Sequence, residues 1–151
     1  MAAEPGGLGL VQNVNTTTMT YSAKIISVAI ARPPTAVYAF AANPTNLPKW
    51  ASGLSGSIKR VGAEWVAESP MGKVKIKFAK RNAFGVLDHE VTLESGATFY
   101  NPMRVQPNGK GSEVMFTLYR LPKVSAKAYA RDARHIRQDL AKLKSLLGKK
   151  G

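Results

Sequence analysis

The segment KVSAKAYARDARHIRQDLAKLKSLL, Lys123–Leu147, decides the fold. In it Tyr129, Ala133, Ile136, Leu140, Leu143 and Leu147 recur at alternating steps of four and three, which lays them along one stripe of an α-helix. Pro122 stands just before the segment, Ser125 suits the N-cap, and Gly148 suits the position after the last turn. Arg and Lys fill the opposite side, so the apolar stripe needs a partner. Burying each large residue of the stripe is worth roughly 1.5–3 kcal/mol gross.

The partner is upstream. KIISVAIA, Lys24–Ala31, alternates with Ile26, Val28 and Ile30 on one face and reads as the first strand. Pro33-Pro34 ends it and opens a short helix with Val37, Phe40 and Ala41 inward. Asn43-Pro44 and Leu47-Pro48 cut that helix and start a second short one near Trp50. Glycine-marked turns then divide a run of strands over Ser55–Val61, Ala63–Ser69, Lys73–Lys80, Val86–Glu94, Thr98–Gln106 and Ser112–Arg120. KVKIKFAK, Lys73–Lys80, sets Val74, Ile76 and Phe78 against Lys73, Lys75 and Lys77, one face dry and the other basic. Pro102 interrupts its strand and marks a bulge or an edge. Consecutive strands joined by tight turns imply an antiparallel meander, and segregated helices imply an α+β fold. The expectation is a curved antiparallel sheet of about seven strands around the long C-terminal helix, with two short helices after the first strand and space left between sheet and helix.

The 151 residues suit one domain. We divide them into an N-terminal arm, 1–22, a single domain, 23–148, and a basic tail, 149–151, holding Lys149 and Lys150. No stretch has the length and apolarity of a membrane span, and the N-terminus lacks the pattern of a secretory signal. With no cysteine, thiolate catalysis, disulfides and cysteine zinc sites are excluded, and cytoplasmic residence is the expectation. The net charge of +13 permits contact with nucleic acid or an anionic membrane without selecting either.

IISVAIA running into RPPTAVYAFAANPTNLPKWASGL, together with the terminal LPKVSAKAYARDARHIRQDLAKLKSLL, resembles the helix-grip superfamily. That superfamily includes START domains, birch-allergen-type proteins and aromatic polyketide cyclases. Within it the chain is most similar to bacterial polyketide cyclase/dehydrase-like proteins, over Ala23–Leu147. The resemblance implies an elongated apolar cavity between sheet and helix, used for lipids, polyketides or other hydrophobic compounds. It carries over no catalytic motif residue by residue.

His89 is the one titratable residue that periodicity turns inward, between Leu87 and Val91. It is either a proton-transfer or hydrogen-bonding group in a cavity or a core histidine satisfied by a neighbouring carbonyl. Asn101 falls inward beside Pro102, with Tyr100 outward, and its amide needs partners. His89 and Asn101 are the candidate catalytic pair. Trp50 and Trp65 have the rigid, amphipathic surfaces that line ligand pockets, or that simply pack a core. Ile76, Phe78, Val91, Met103, Phe116, Tyr129 and Ile136 complete the expected lining. Asp132, His135 and Asp139 share one side of the terminal helix, where surface pairing explains them better than a metal does. No metal and no cofactor is expected.

Three functional readings follow. The first is a binding protein whose partner is a hydrophobic small molecule. The second is an enzyme of the polyketide cyclase/dehydrase type using His89 and Asn101 in the same cavity. The third is a basic surface module, in which Lys73, Lys75, Lys77, Lys80 and Arg81, with Lys59 and Arg60, meet nucleic acid or make peripheral contact with an anionic membrane. Interleaved exposed aromatics are missing from that row, which disfavours nucleic acid. A single inward titratable group favours binding over catalysis.

Overall fold

Ile26 and Ile30 are buried and Ile25 and Ala29 are exposed, so the alternation of KIISVAIA becomes strand β1, Ala23–Ile30. The computed structural model describes residues 19–148; most of the expected arm, 1–18, and the whole basic tail lie outside the described residues. Of the arm, Met19–Ser22 is described. Tyr21 meets the ring of Tyr119 edge-on at 6.4 Å, and the Ser22 carbonyl accepts from the Arg120 amide at 2.8 Å.

Helix α1, Pro34–Ala41, begins where proline presets the backbone angle and needs no amide partner. It buries Val37 and Ala41. A single 3-10 turn, Pro44–Asn46, follows, capped by the Asn43 side chain, which accepts from the Thr45 amide at 3.1 Å. Helix α2, Leu47–Trp50, buries Leu47 and Trp50.

Among the described residues, eight strands form two antiparallel sheets. The larger runs β2 (Ile58–Val61), β3 (Glu64–Ser69), β4 (Gly72–Phe78), β5 (His89–Leu93) and β6 (Thr98–Asn101) in chain order. The smaller places β8 (Gly111–Tyr119) between β1 and β7 (Met103–Asn108).

Two expectations change in detail. The single strand expected over Thr98–Gln106 is two, β6 paired with β5 and β7 paired with β8. Pro102 is the corner between them. It has no amide to give to either ladder, and its carbonyl accepts from Thr117 at 3.0 Å on the second sheet. The strand expected from Val86 begins at His89 instead. Val86 bridges to Arg104 and Leu87 donates to the Met103 carbonyl at 2.8 Å, so the lead-in residues follow the corner rather than β4.

That corner is fastened by Asp88. Its Oδ1 accepts from the Met103 amide at 2.8 Å and from Arg104 Nε at 3.1 Å, and its Oδ2 from Arg104 Nη2 and the Tyr100 hydroxyl, each at 2.8 Å. Burial alone would raise the carboxyl pKa, but these donors outweigh it and hold Asp88 below its ordinary value of 3.8. Burial and the neighbouring carboxylate push the Tyr100 hydroxyl up to about 12. The preceding loop approaches closely as well. Gly85 adopts φ 75°, and a Cβ there would overlap the Val105 carbonyl oxygen.

Helix α3, Ala126–Gly148, has 23 residues and is about 35 Å long. The Ser125 hydroxyl accepts from the Ala128 amide at 3.0 Å, the N-cap bond, and Gly148 is the last helical residue rather than the one beyond it. Tyr129, Ala133, Leu140, Leu143 and Leu147 are buried, and α3 lies chiefly against β1. Ile136 is the exception in the stripe, only half-buried. This is the α+β helix-grip arrangement.

A candidate ligand groove between sheet and helix

Ile136 is half-buried because it faces open space. A groove of about 400 Å³ runs between the inner faces of β4, β5 and β6, part of β8, and the α2 and α3 helices. Antiparallel register builds its floor. Ile76 stands opposite Val91, Val74 opposite Leu93, and His89 opposite Asn101. Period two turns all of these side chains toward the helix.

Of the residues expected to line a cavity, Trp50, Ile76, His89, Val91, Asn101, Phe116 and Ile136 are brought together here. The other four are placed elsewhere. Trp65 lies in a separate space of about 520 Å³ against α1, with Tyr38 and Arg60. Phe78 lines that space too, and its ring backs His89 with centroids 5.1 Å apart. Met103 is 1 % exposed and belongs to the packed core, opposite Phe116 in the smaller sheet. The hydroxyl of Tyr129 donates to the Leu118 carbonyl at 2.8 Å, so this side chain ties α3 to β8 rather than walling the groove. A second cavity of about 540 Å³, under Tyr21, Tyr119 and Leu121, shares Phe99, Asn101, Leu118 and Asp132 with the groove, so the two adjoin.

His89 is 8 % exposed, its ring between Phe78 and Phe116, with the Phe116 centroid at 6.0 Å. Phe116 belongs to the other sheet, so the imidazole lies on the inner side. Nδ1 is 2.9 Å from the Leu87 carbonyl. A carbonyl only accepts, so Nδ1 carries the proton and the neutral ring has its lone pair on Nε2. Burial pushes the pKa below the ordinary 6.5, against the Leu87 carbonyl and the Asp88 carboxylate, which favour the charged form. Trp50 Nε1 is the one fully buried side-chain nitrogen or oxygen without a partner among the described residues.

The far wall carries charge. Asp132, His135 and Asp139 of α3 all border the groove. Asp139 Oδ1 accepts from the Ser52 amide at 3.1 Å, which pins the loop after α2 to the helix. Burial raises the Asp139 pKa, opposed by the bonds from Ser52 and the charge of His135. The surface pairing expected for this row is not what positions it. Among the described residues neither aspartate forms an ion pair, and no three His, Asp or Glu side chains gather as a metal site would require. The i, i+3, i+7 spacing was the visible signal, and what it lacked was the gap opposite.

On the outer face Lys73 is opposite Glu68 and Lys77 opposite Glu90, while Lys75 Nζ reaches Glu64 at 3.9 Å. The basic row of β4 is thus interleaved with carboxylates. Among the described residues no helix is long and apolar enough to cross a membrane.

Solved structures with this fold include XoxI from Bacillus cereus, 15% identical, with a TM-score of 0.64 over 83% of this chain and 95% of that one. The Aha1 dimer from Colwellia psychrerythraea is 18% identical, with a TM-score of 0.67 over 85% of this chain and 98% of that one. DynU16, from the dynemicin biosynthetic locus, is 13% identical, with a TM-score of 0.65 over 85% of this chain and 48% of that one. At these identities the likeness is one of fold. No functionally curated protein matches the chain. The model of the family described as polyketide cyclase / dehydrase and lipid transport matches residues 17–148, and by that match the chain belongs to this family.

Proposed function

We propose that this protein binds a hydrophobic small molecule, a lipid, polyketide or aromatic compound, in the groove between the larger sheet and α3. The observation that carries the reading is the half-buried apolar patch of Val91, Leu93, Leu118 and Ile136, left open beside the buried Val74, Ile76, Leu140 and Leu143 of the core. The volume, about 400 Å³, lies in the range of small-molecule sites, roughly 300–1,000 Å³. Membership of a family described by cyclase, dehydrase and lipid-transport roles supports the same reading.

The two tryptophans make the test selective. Trp50 borders the groove and Trp65 does not. A hydrophobic ligand in the groove should quench fluorescence in the Trp65→Phe variant, where Trp50 is the remaining indole, and leave Trp50→Phe nearly unchanged. The opposite pattern, or no response to a panel of lipids and polycyclic aromatics, would remove the groove as the binding site. Native mass spectrometry of protein from its producing cells would identify what is carried.

One observation favours a second reading, catalysis of the cyclase/dehydrase type. His89 Nε2 is an acceptor with no partner among the described residues, and Asn101 stands opposite it. In such a reaction Nε2 takes a proton from carbon next to a ligand carbonyl. The electron pair moves to the carbonyl oxygen, and the Asn101 amide donates to it. Turnover of a poly-β-keto thioester, lost in His89→Ala, is the measurement that separates this from binding alone.

A further inference from the structure

The sheet side of the groove is apolar except at Ser69, whose hydroxyl is engaged by the Gly72 carbonyl and the Met71 amide, and at one further place. His89 and Asn101 stand directly opposite each other on β5 and β6, side chains on the same face. His89 Nε2 is a lone-pair acceptor, fixed as such because Nδ1–H is committed to the Leu87 carbonyl. Neither Nε2 nor the Asn101 amide has a hydrogen-bond partner among the described residues, and neither is sealed from open space in the way Trp50 Nε1 is. Both residues border the groove, and around them lie Ile76, Val91, Phe116 and Leu118. Two adjacent polar groups, one an acceptor and one able to donate, are therefore left for whatever occupies the groove.

We infer that the groove selects ligands bearing a hydroxyl group, a phenol, enol or alcohol on an apolar skeleton, and that His89 and Asn101 receive that hydroxyl. The inference rests on the groove being the ligand site. A hydroxyl can donate to Nε2 and accept from Asn101 Nδ2 at once. An ether or a hydrocarbon cannot donate and leaves Nε2 desolvated and unpaired. A carboxylate turns lone pairs toward a lone pair, and burial resists the protonation that would relieve it. The other titratable groups do not serve the floor. Asp88 is engaged by Arg104, Tyr100 and Met103 on the outer side, and Asp132, His135 and Asp139 face in from α3 at the opposite wall.

The test uses the full chain with naphthol, methoxynaphthalene and naphthalene, matched in skeleton, with affinities from calorimetry near neutral pH. The expected result is naphthol binding about tenfold more tightly than methoxynaphthalene, the worth of one well-made hydrogen bond. In His89→Phe the ratio of the two affinities should fall to about one, whatever the absolute values. If that variant does not fold, Asn101→Leu, at a half-buried position, should still cut the ratio about threefold. Equal binding of all three compounds by the unaltered protein would overturn the inference and leave the groove as a binding site. Failure of all three to bind would overturn the groove reading and this inference with it. A ratio that survives in His89→Phe and in Asn101→Leu would assign the hydroxyl preference elsewhere and overturn it too.

Discussion

Replacing Asp88 with alanine should loosen the corner where the chain passes from one sheet to the other. Its carboxylate accepts four hydrogen bonds, and its side chain is 12% exposed while that of Arg104 is 49% exposed. The exposed donors, Arg104 and the Tyr100 hydroxyl, turn to water when the acceptor goes, so they contribute at most about 1 kcal/mol together. The Met103 amide cannot do so, because Met103 is 1 % exposed, and an unpaired buried amide costs about 1–3 kcal/mol. The expected loss is about 1–4 kcal/mol, read as a lower urea midpoint at constant slope. Asp88→Asn keeps an acceptor for Met103 and should lose about half as much. The folded pKa lies below the ordinary 3.8, so between the two values the unfolded chain takes the proton first and acid favours unfolding. The gap between wild type and Asp88→Ala should hold from neutral pH down to about 4 and narrow below it, toward the difference between Asp88→Asn and Asp88→Ala, because protonated Asp88 still offers Met103 a carbonyl oxygen. An Asp88→Ala protein within about 0.5 kcal/mol of wild type would refute the reasoning, since surface changes alone fall in that range.

Burial depresses the His89 pKa, so its neutral form contributes stability that is full above about 6.5 and is lost as the pH falls toward the folded pKa. Urea midpoints across that window should fall for wild type and much less for His89→Phe, with Asp132, His135 and Asp139 common to both. Leu143 is 0% exposed in the C-terminal half of the α3 stripe, and Leu143→Ala should cost about 3–5 kcal/mol, measured by the same denaturation. Gly85→Ala places a Cβ against the Val105 carbonyl at positive φ and should cost at least about 2 kcal/mol, seen as a lowered melting temperature. Lys75→Glu, on the outer face, should leave the affinity for a groove ligand unchanged in titration calorimetry.

Local periodicity made most of the elements legible. The steps of three and four in Lys123–Leu147, the alternation of Lys73–Lys80 and the proline-bounded helices each concern residues whose geometry is settled within a turn or two of chain. Those patterns also say which face of a strand or helix turns inward, and so they could nominate Trp50, His89, Asn101 and Ile136. They carry no information on where an inward face meets another side chain and where it meets a gap. That depends on the separation of two layers, set by every residue packed between them. Met103 and Tyr129 face inward and are enclosed, Ile136 faces inward and is open, and Asp132 and Asp139 border the opening because of what is missing across from them. The corner at Pro102 belongs to the same kind of fact. A proline in a strand signals a break, but only pairing with β5 on one side and β8 on the other turns that break into a passage between sheets. The amino-acid order by itself thus determined the elements and their apolar faces, because these follow from neighbours in the chain. The groove and the Asp88 corner were decided only by the tertiary structure, because they depend on contacts between residues far apart in sequence.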